Sequence, residues 1–192
     1  RKKLEDKFEE CAKIVMSPEK MNAVAEEEYH ALKTALAVKT NPKEKAHLIA
    51  KHYRTFLWIP CYDIKDPPYE KNYFTNRVNK LLKCSRQSLL IEIKEKKSEF
   101  QKRKRAFLHL LSKIDDKQLK ELACIMHWIV FYKDYRDDLR RKAGFWGKRF
   151  MKPLAERFNL TLEEINYLTP PEVQRWLRGT PIATQEIRQR IP

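Results

Sequence analysis

Apolar residues recur at helical spacing through most of the chain, in two contrasting patterns. Between Leu89 and Leu111 they keep a narrow seam through Ile93, Phe100, Phe107 and Leu111. Lys97 and Lys104 occupy intervening seam positions, and half of the other residues there are charged. This pattern predicts a long, exposed helix packed lightly on one side. From Leu119 to Tyr132 the apolar face widens through Leu122, Ile125, Met126, Ile129 and Val130, with Trp128 and Phe131 on its flanks. That width predicts the central core helix.

Helix starts are marked by a capping side chain, proline at the first helical position and a carboxylate near the positive end of the dipole. Ser17-Pro18-Glu19, Asn41-Pro42-Lys43-Glu44 and Thr169-Pro170-Pro171-Glu172 follow this rule, and Thr161-Leu162-Glu163-Glu164 adds a capping box. The predicted helices cover 2–16, 18–39, 42–57, 70–83, 86–113, 115–144 and 146–158, followed by short ones at 162–167, 170–178 and 182–190. The prolines at 60, 67 and 68 forbid helix and make 59–68 a loop. The expected fold is all-α: a multi-helix bundle or helical-hairpin array with short C-terminal helices. It forms one domain over 1–192, with sub-units 1–58 and 70–192 separable at the Pro-rich loop.

Composition narrows the chemistry. Gly144, Gly147 and Gly179 are the only glycines in 192 residues, too few for a loop whose backbone N–H groups converge on a phosphate. Cys11, Cys61, Cys84 and Cys124 lie far apart, without a C-x-x-C pair, and are expected to be reduced thiols of a cytoplasmic protein. Nothing resembles a signal peptide, and no apolar run approaches a bilayer span. The sequon Asn159-Leu160-Thr161 is better explained by Thr161 as a helix cap. Arg1 falls inside a charged helical pattern without an initiator Met, so a domain of a longer chain is expected.

The 41 Lys and Arg against 26 Asp and Glu give a net charge of +15, with a pI near 9.7. Such a surface attracts polyanions without choosing among them. The densest basic patch is Lys94, Lys96, Lys97, Lys102, Arg103, Lys104 and Arg105, seven cations with two acids in twelve residues. It could follow a nucleic-acid backbone, or serve only as the charged face of an exposed helix. Tyr132, Tyr135, Arg136 and Arg140 would suit an anion or aromatic-ligand contact. There Asp137 with Arg141 and Asp138 with Lys142 are spaced as stabilising i,i+4 pairs.

A pair of Glu-x-x-His units, Glu27 with His30 and Glu44 with His47, has the spacing used in di-metal helical bundles. Both units lie in charged stretches, and no partner carboxylate occupies a clearly apolar face. A solvated surface explains them as well. His127 beside Trp128 reads as a core histidine bonded to a carbonyl. No nucleophile and base pair can be named.

Three segments in order resemble a known family: Trp58-Ile59-Pro60-Cys61-Tyr62, the run Phe131 to Asp138, and the run Asn159 to Val173. Together they are similar to the helical middle region of phosphoenolpyruvate-utilising enzymes, of the phosphoenolpyruvate synthase-like and rifampicin phosphotransferase-like kinds. The last segment is the most specific, following a family pattern L-x-x-E-D-L-x-Y-L-T-x-x-E-I. The resemblance implies a phosphotransferase in which an ATP-grasp domain binds ATP and Mg, a swivelling domain carries a phosphohistidine, and the helical region lies between. In the rifampicin-type branch that region also binds the phosphoryl acceptor. The Gly-rich nucleotide loop and the phosphohistidine motif are absent, so no catalytic residue and no cofactor is carried over to this chain. A short Arg-containing helix normally follows the Leu-Thr-Pro-Pro-Glu helix, and 182–190 could be it. The alternative function is a stand-alone basic helical module that binds nucleic acid or an acidic protein partner.

Overall fold

A computed structural model describes residues 2–180 and 184–191, with side chains described from residue 7 onward. Its elements are α1 (Lys2–Val15), α2 (Ala23–Thr40), a 3-10 turn (Pro42–Glu44), α3 (Lys45–Phe56), α4 (Lys71–Leu82), α5 (Arg86–Ser112), α6 (Lys117–Arg157), α7 (Leu162–Asn166), α8 (Pro170–Leu177) and α9 (Thr184–Arg188). The chain is all-α, with no strand among the described residues.

Two predicted boundaries move, each for a local reason. The second helix starts at Ala23, because the Ser17 hydroxyl donates to the Lys13 carbonyl and closes α1. Asn22 is the cap instead: its side chain accepts the Ala25 N–H at 3.0 Å. The break predicted between 144 and 146 is absent, and α6 runs unbroken for 41 residues, through Pro153. Gly144 serves another purpose. A Cβ there would meet the Cys61 carbonyl oxygen at 3.0 Å and that of Asp63 at 3.3 Å, so glycine admits a close backbone approach within the helix.

The chain packs as two compact units, residues 1–57 with 70–138, and residues 58–69 with 139–192. This differs from sub-units at 1–58 and 70–192. The Pro-rich loop belongs with the chain after Asp138, and the boundary falls inside α6.

In the first unit α2 is the central helix, in contact with α3, α4 and α5. Its buried stripe is Ala23, Glu27, Ala31, Ala35 and Val38, spaced by four, four, four and three residues. Alanines at that spacing let three neighbours approach closely. Ile49 and Phe56 of α3, Phe74 and Val78 of α4, and Leu89 of α5 supply the bulk.

α6 is not the central core helix that its apolar width predicts. Its buried stripe in the first unit is Ala123, His127 and Asp138, with Cys124 half-buried. Leu119, Leu122, Ile125, Met126 and Ile129 instead remain 49–60 % exposed. Ala123 and Cys124 pack with Val15, Phe107 and their neighbours in a small cluster. Apolar width did not decide which side faces inward; the small residues did.

The second unit has a core of Ala155, Leu160, Ile165, Trp176 and Ile187. Asn159 adopts a left-handed φ of 56°. The Leu160 N–H then reaches the Ala155 carbonyl at 2.9 Å, which terminates α6. Thr161 caps α7 in the predicted capping box with Glu164. No helix among the described residues is long and apolar enough to cross a membrane.

Candidate functional site

The most developed polar constellation lies in the first unit. Glu27 faces the core of α2 and is 3 % exposed. Its carboxylate accepts from His52 Nε2 of α3 at 3.0 Å, and Arg77 of α4 stands 3.3 Å away. Arg77 also reaches Glu28 at 3.6 Å, and Lys96 of α5 donates to Glu28 at 2.7 Å. Lys96 and Arg77 hold the Glu28 carboxyl below its usual range, against the opposing effect of burial. One chain of charges thus joins α2, α3, α4 and α5.

A histidine held by a carboxylate is the arrangement of a general base. Here access is wanting. His52 is 3 % exposed, and its Nδ1 has no hydrogen-bond partner. The adjoining cavity, about 380 Å3, is lined by Glu28, Arg77, Lys80, Glu92 and Lys96 but not by His52 or Glu27. Its charges balance: three cations against two carboxylates, with Glu27 offsetting the third from behind. The network is a cross-brace between helices.

The Glu-x-x-His units are not brought together. Glu27 is committed to His52 and Arg77, His30 is exposed beside the Phe56 ring at 5.2 Å, and Glu44 and His47 are exposed. Although the residue as a whole is exposed, loss of hydration on the ring's protein-facing side, and then nearby Lys33, push the His30 imidazole below its usual range. No group of three His, Cys, Asp or Glu suited to a metal ion occurs among the described residues. The buried pair escaped sequence reading because its members lie 25 residues apart on different helices. The signal was nevertheless present: Glu27 interrupts an alanine stripe, and His52 lies between Ile49 and Phe56 on the buried side of α3.

His127 fits its sequence-based reading. Its Nδ1 lies 2.9 Å from the Val15 carbonyl, which can only accept, so Nδ1 carries the proton. The ring stacks on Phe107 at 3.8 Å.

Within the basic patch of α5, several cations are already engaged. Lys96 is bound to Glu28, Arg103 pairs with Glu99 one turn away, and Lys104 lies 4.0 Å from Glu19. Lys94, Lys97, Lys102 and Arg105 are exposed and have no ion pair among the described residues.

Tyr132, Arg136 and Arg140 recur every fourth residue along α6 and are exposed, with Tyr135 on the flank. Tyr132 stacks on Trp128 at 5.6 Å, and Tyr135 on Phe131 at 5.8 Å. Arg136 pairs with adjacent Asp137 at 3.1 Å. Asp138 accepts the Ala23 N–H at 2.8 Å, and Asp134 the Asn22 amide at 3.1 Å, so these acids hold the start of α2. The segment does not line the cavity beside Glu28 and Arg77.

In the second unit two acids of the C-terminal motif are locked. Glu164 accepts the Thr161 N–H at 2.8 Å and Arg188 Nε at 2.6 Å. Glu172 accepts the Thr169 N–H at 2.8 Å and both terminal nitrogens of Arg190 at 2.7 Å. The Arg190 fork, then the Thr169 N–H, push the Glu172 carboxyl down to about 2. The Thr161 N–H and Arg188 lower Glu164 likewise. In the loop, Asn166 donates to Asp63 at 3.1 Å, and Lys148 donates to the Asp66 carbonyl. Arg141 stacks on Tyr62 at 4.1 Å and Lys142 over Trp58 at 4.7 Å.

These features define a helical protein whose buried polar groups brace helices against one another. No family model, curated protein sequence or solved structure matches the chain.

Proposed function

We propose that the chain is the non-catalytic, cytoplasmic helical intermediate domain of a phosphoenolpyruvate synthase-like phosphotransferase. It spaces an ATP-grasp domain, which binds ATP and Mg, from a phosphohistidine domain, and in the rifampicin-type branch it would hold the phosphoryl acceptor. The observation that carries this reading is the pair of arginine-clamped carboxylates. Glu164 and Glu172 belong to the segment with the most specific resemblance, and both are buried and consumed by caps and by Arg188 and Arg190. Those residues are occupied in building a scaffold. The short helix α9 ends on Arg188, with Arg190 two residues beyond, and is in keeping with the Arg-containing helix that the resemblance implies, whose first residues 182–183 lie outside the described residues.

The chain alone is expected neither to hydrolyse ATP nor to accept phosphate from ATP or phosphoenolpyruvate. Incubation with labelled donors and Mg, followed by a test for acid-labile phosphate, reads this directly; one phosphohistidine per chain would overturn it. Flanking coding sequence gives a second test. An ATP-grasp pattern upstream and a Gly-rich histidine loop downstream are expected, and their absence from both sides sinks the reading.

A second reading rests on Lys94, Lys97, Lys102 and Arg105, four exposed cations of α5 with no ion pair among the described residues. A basic helical module would use them to follow a nucleic-acid backbone. Binding to a single strand or a duplex would then weaken steeply with salt, and no retention at low ionic strength would dismiss it.

A further inference from the structure

The outward face of α6 carries large apolar side chains that the fold leaves uncovered. Leu122, Ile125 and Ile129 point away from the stripe of Ala123, His127 and Asp138 that packs inward, and Leu119 and Met126, also exposed, flank them. Each is roughly half exposed, which leaves on the order of 500 Å2 of contiguous apolar surface, near the top of the range for the largest patch of a monomer. Such a face is an interaction surface.

The face is self-complementary when reversed. Turning a second α6 antiparallel about a point between Ile125 and Met126 sets Leu122 opposite Ile129 and Leu119 opposite Tyr132. The ends then match by charge. The same face continues past Ile129 to exposed Arg136, which comes opposite exposed Asp115 just before the partner helix, while Lys133 comes opposite Gln118. An isologous pair requires this property, since each residue that meets its counterpart must suit it in both directions. Parallel pairing would instead bring Lys133 and Arg136 against their own copies.

We propose that α6 is a homodimerisation helix, which pairs antiparallel with α6 of a second copy through Leu119, Leu122, Ile125, Met126 and Ile129. The area available is smaller than the ~800 Å2 per partner of a standard stable interface. The dimer is therefore concentration-dependent, forming in the micromolar range or above, and the net charge of +15 on each copy opposes it. The proposal stands apart from the phosphotransferase reading, which neither requires nor excludes it.

Sedimentation equilibrium of the whole chain tests it. A reversible monomer–dimer equilibrium is expected, and Ile129→Asp should raise its dissociation constant at least about tenfold. Because Ile129 is 60 % exposed, the monomer should keep its circular dichroism and melting temperature. Arg136→Glu should weaken the dimer, and Asp115→Lys in the same chain should restore it, an exchange that only antiparallel end-to-end pairing explains. The proposal fails if the wild type stays monomeric at several hundred micromolar. It fails equally if Ile129→Asp leaves the dimer intact, or if the double charge exchange does not recover what Arg136→Glu loses. Binding of the monomer to anionic vesicles, abolished by Ile129→Asp while no dimer forms, would assign the face to a membrane surface and overturn it.

Discussion

Glu27 joins three helices of the first unit at one carboxylate. Replacement by Gln keeps the shape but leaves His52 without a carboxylate and Arg77 with only the more distant Glu28. Breaking a buried pair from one side costs about 3–5 kcal/mol, and partial exposure of Arg77 reduces this to about 2–3 kcal/mol. Urea unfolding would measure it; a loss under about 0.5 kcal/mol would show that the brace is dispensable.

Glu172 makes a prediction about pH. Its carboxyl lies near 2 in the folded chain against an ordinary value of 4.5, so the folded state binds its proton more weakly than the unfolded one. The stabilisation it gives is complete above about pH 4.5 and is lost as pH falls toward 2. Glu172→Gln should lower the melting temperature at neutral pH, and the gap from wild type should close through that acid window. A gap that stays constant from pH 7 to pH 2 would mean that the charge of Glu172 contributes nothing.

At the scale of elements, existence and type were legible, and orientation was not. The seam of α5 and the capping of α7 follow from local pattern, because a helix start is settled by three or four adjacent residues. The inward side of α6 is not a local property. Both of its sides carry apolar residues, and the choice depends on which one lets α1 and α5 come close. Ala123 and Cys124 pack with Val15 of α1 and Phe107 of α5, and Leu122 and Met126 stay exposed. The central place of α2 was hidden for the complementary reason, since alanine and one glutamate look unremarkable in a hydropathy pattern.

Paired substitutions separate these sides. Leu122→Glu should shift stability by less than about 0.5 kcal/mol, whereas Ala123→Glu one position further on should cost several times that by burying a charge. Thermal unfolding of the two variants compares them, and equal losses would contradict the orientation of α6.

Across the whole molecule, the positive charge has a different meaning from the one composition suggests. Arg77, Lys96, Arg188 and Arg190 are spent on internal carboxylates, and Arg141 and Lys142 on aromatic rings. A count of cations cannot distinguish these from the exposed ones of α5. Nor could the candidate residues Tyr132, Tyr135, Arg136 and Arg140 be sorted from sequence, because only the fold decides whether such a cluster borders a cavity.

The close approach at Gly144 has a kinetic side. It seals Cys61 completely, and burial raises the thiol above its ordinary range, so the reactive thiolate is scarce as well as hidden. Cys11 is exposed, and Cys84 and Cys124 are partly so. An alkylating reagent should therefore modify Cys11 first and Cys61 last, at a rate independent of reagent concentration once opening becomes limiting. Labelling of Cys61 as fast as Cys11 would mean that the loop does not close. Otherwise this one sulfur acts as a clock, recording how often residues 58–69 lift away from the helix beneath them.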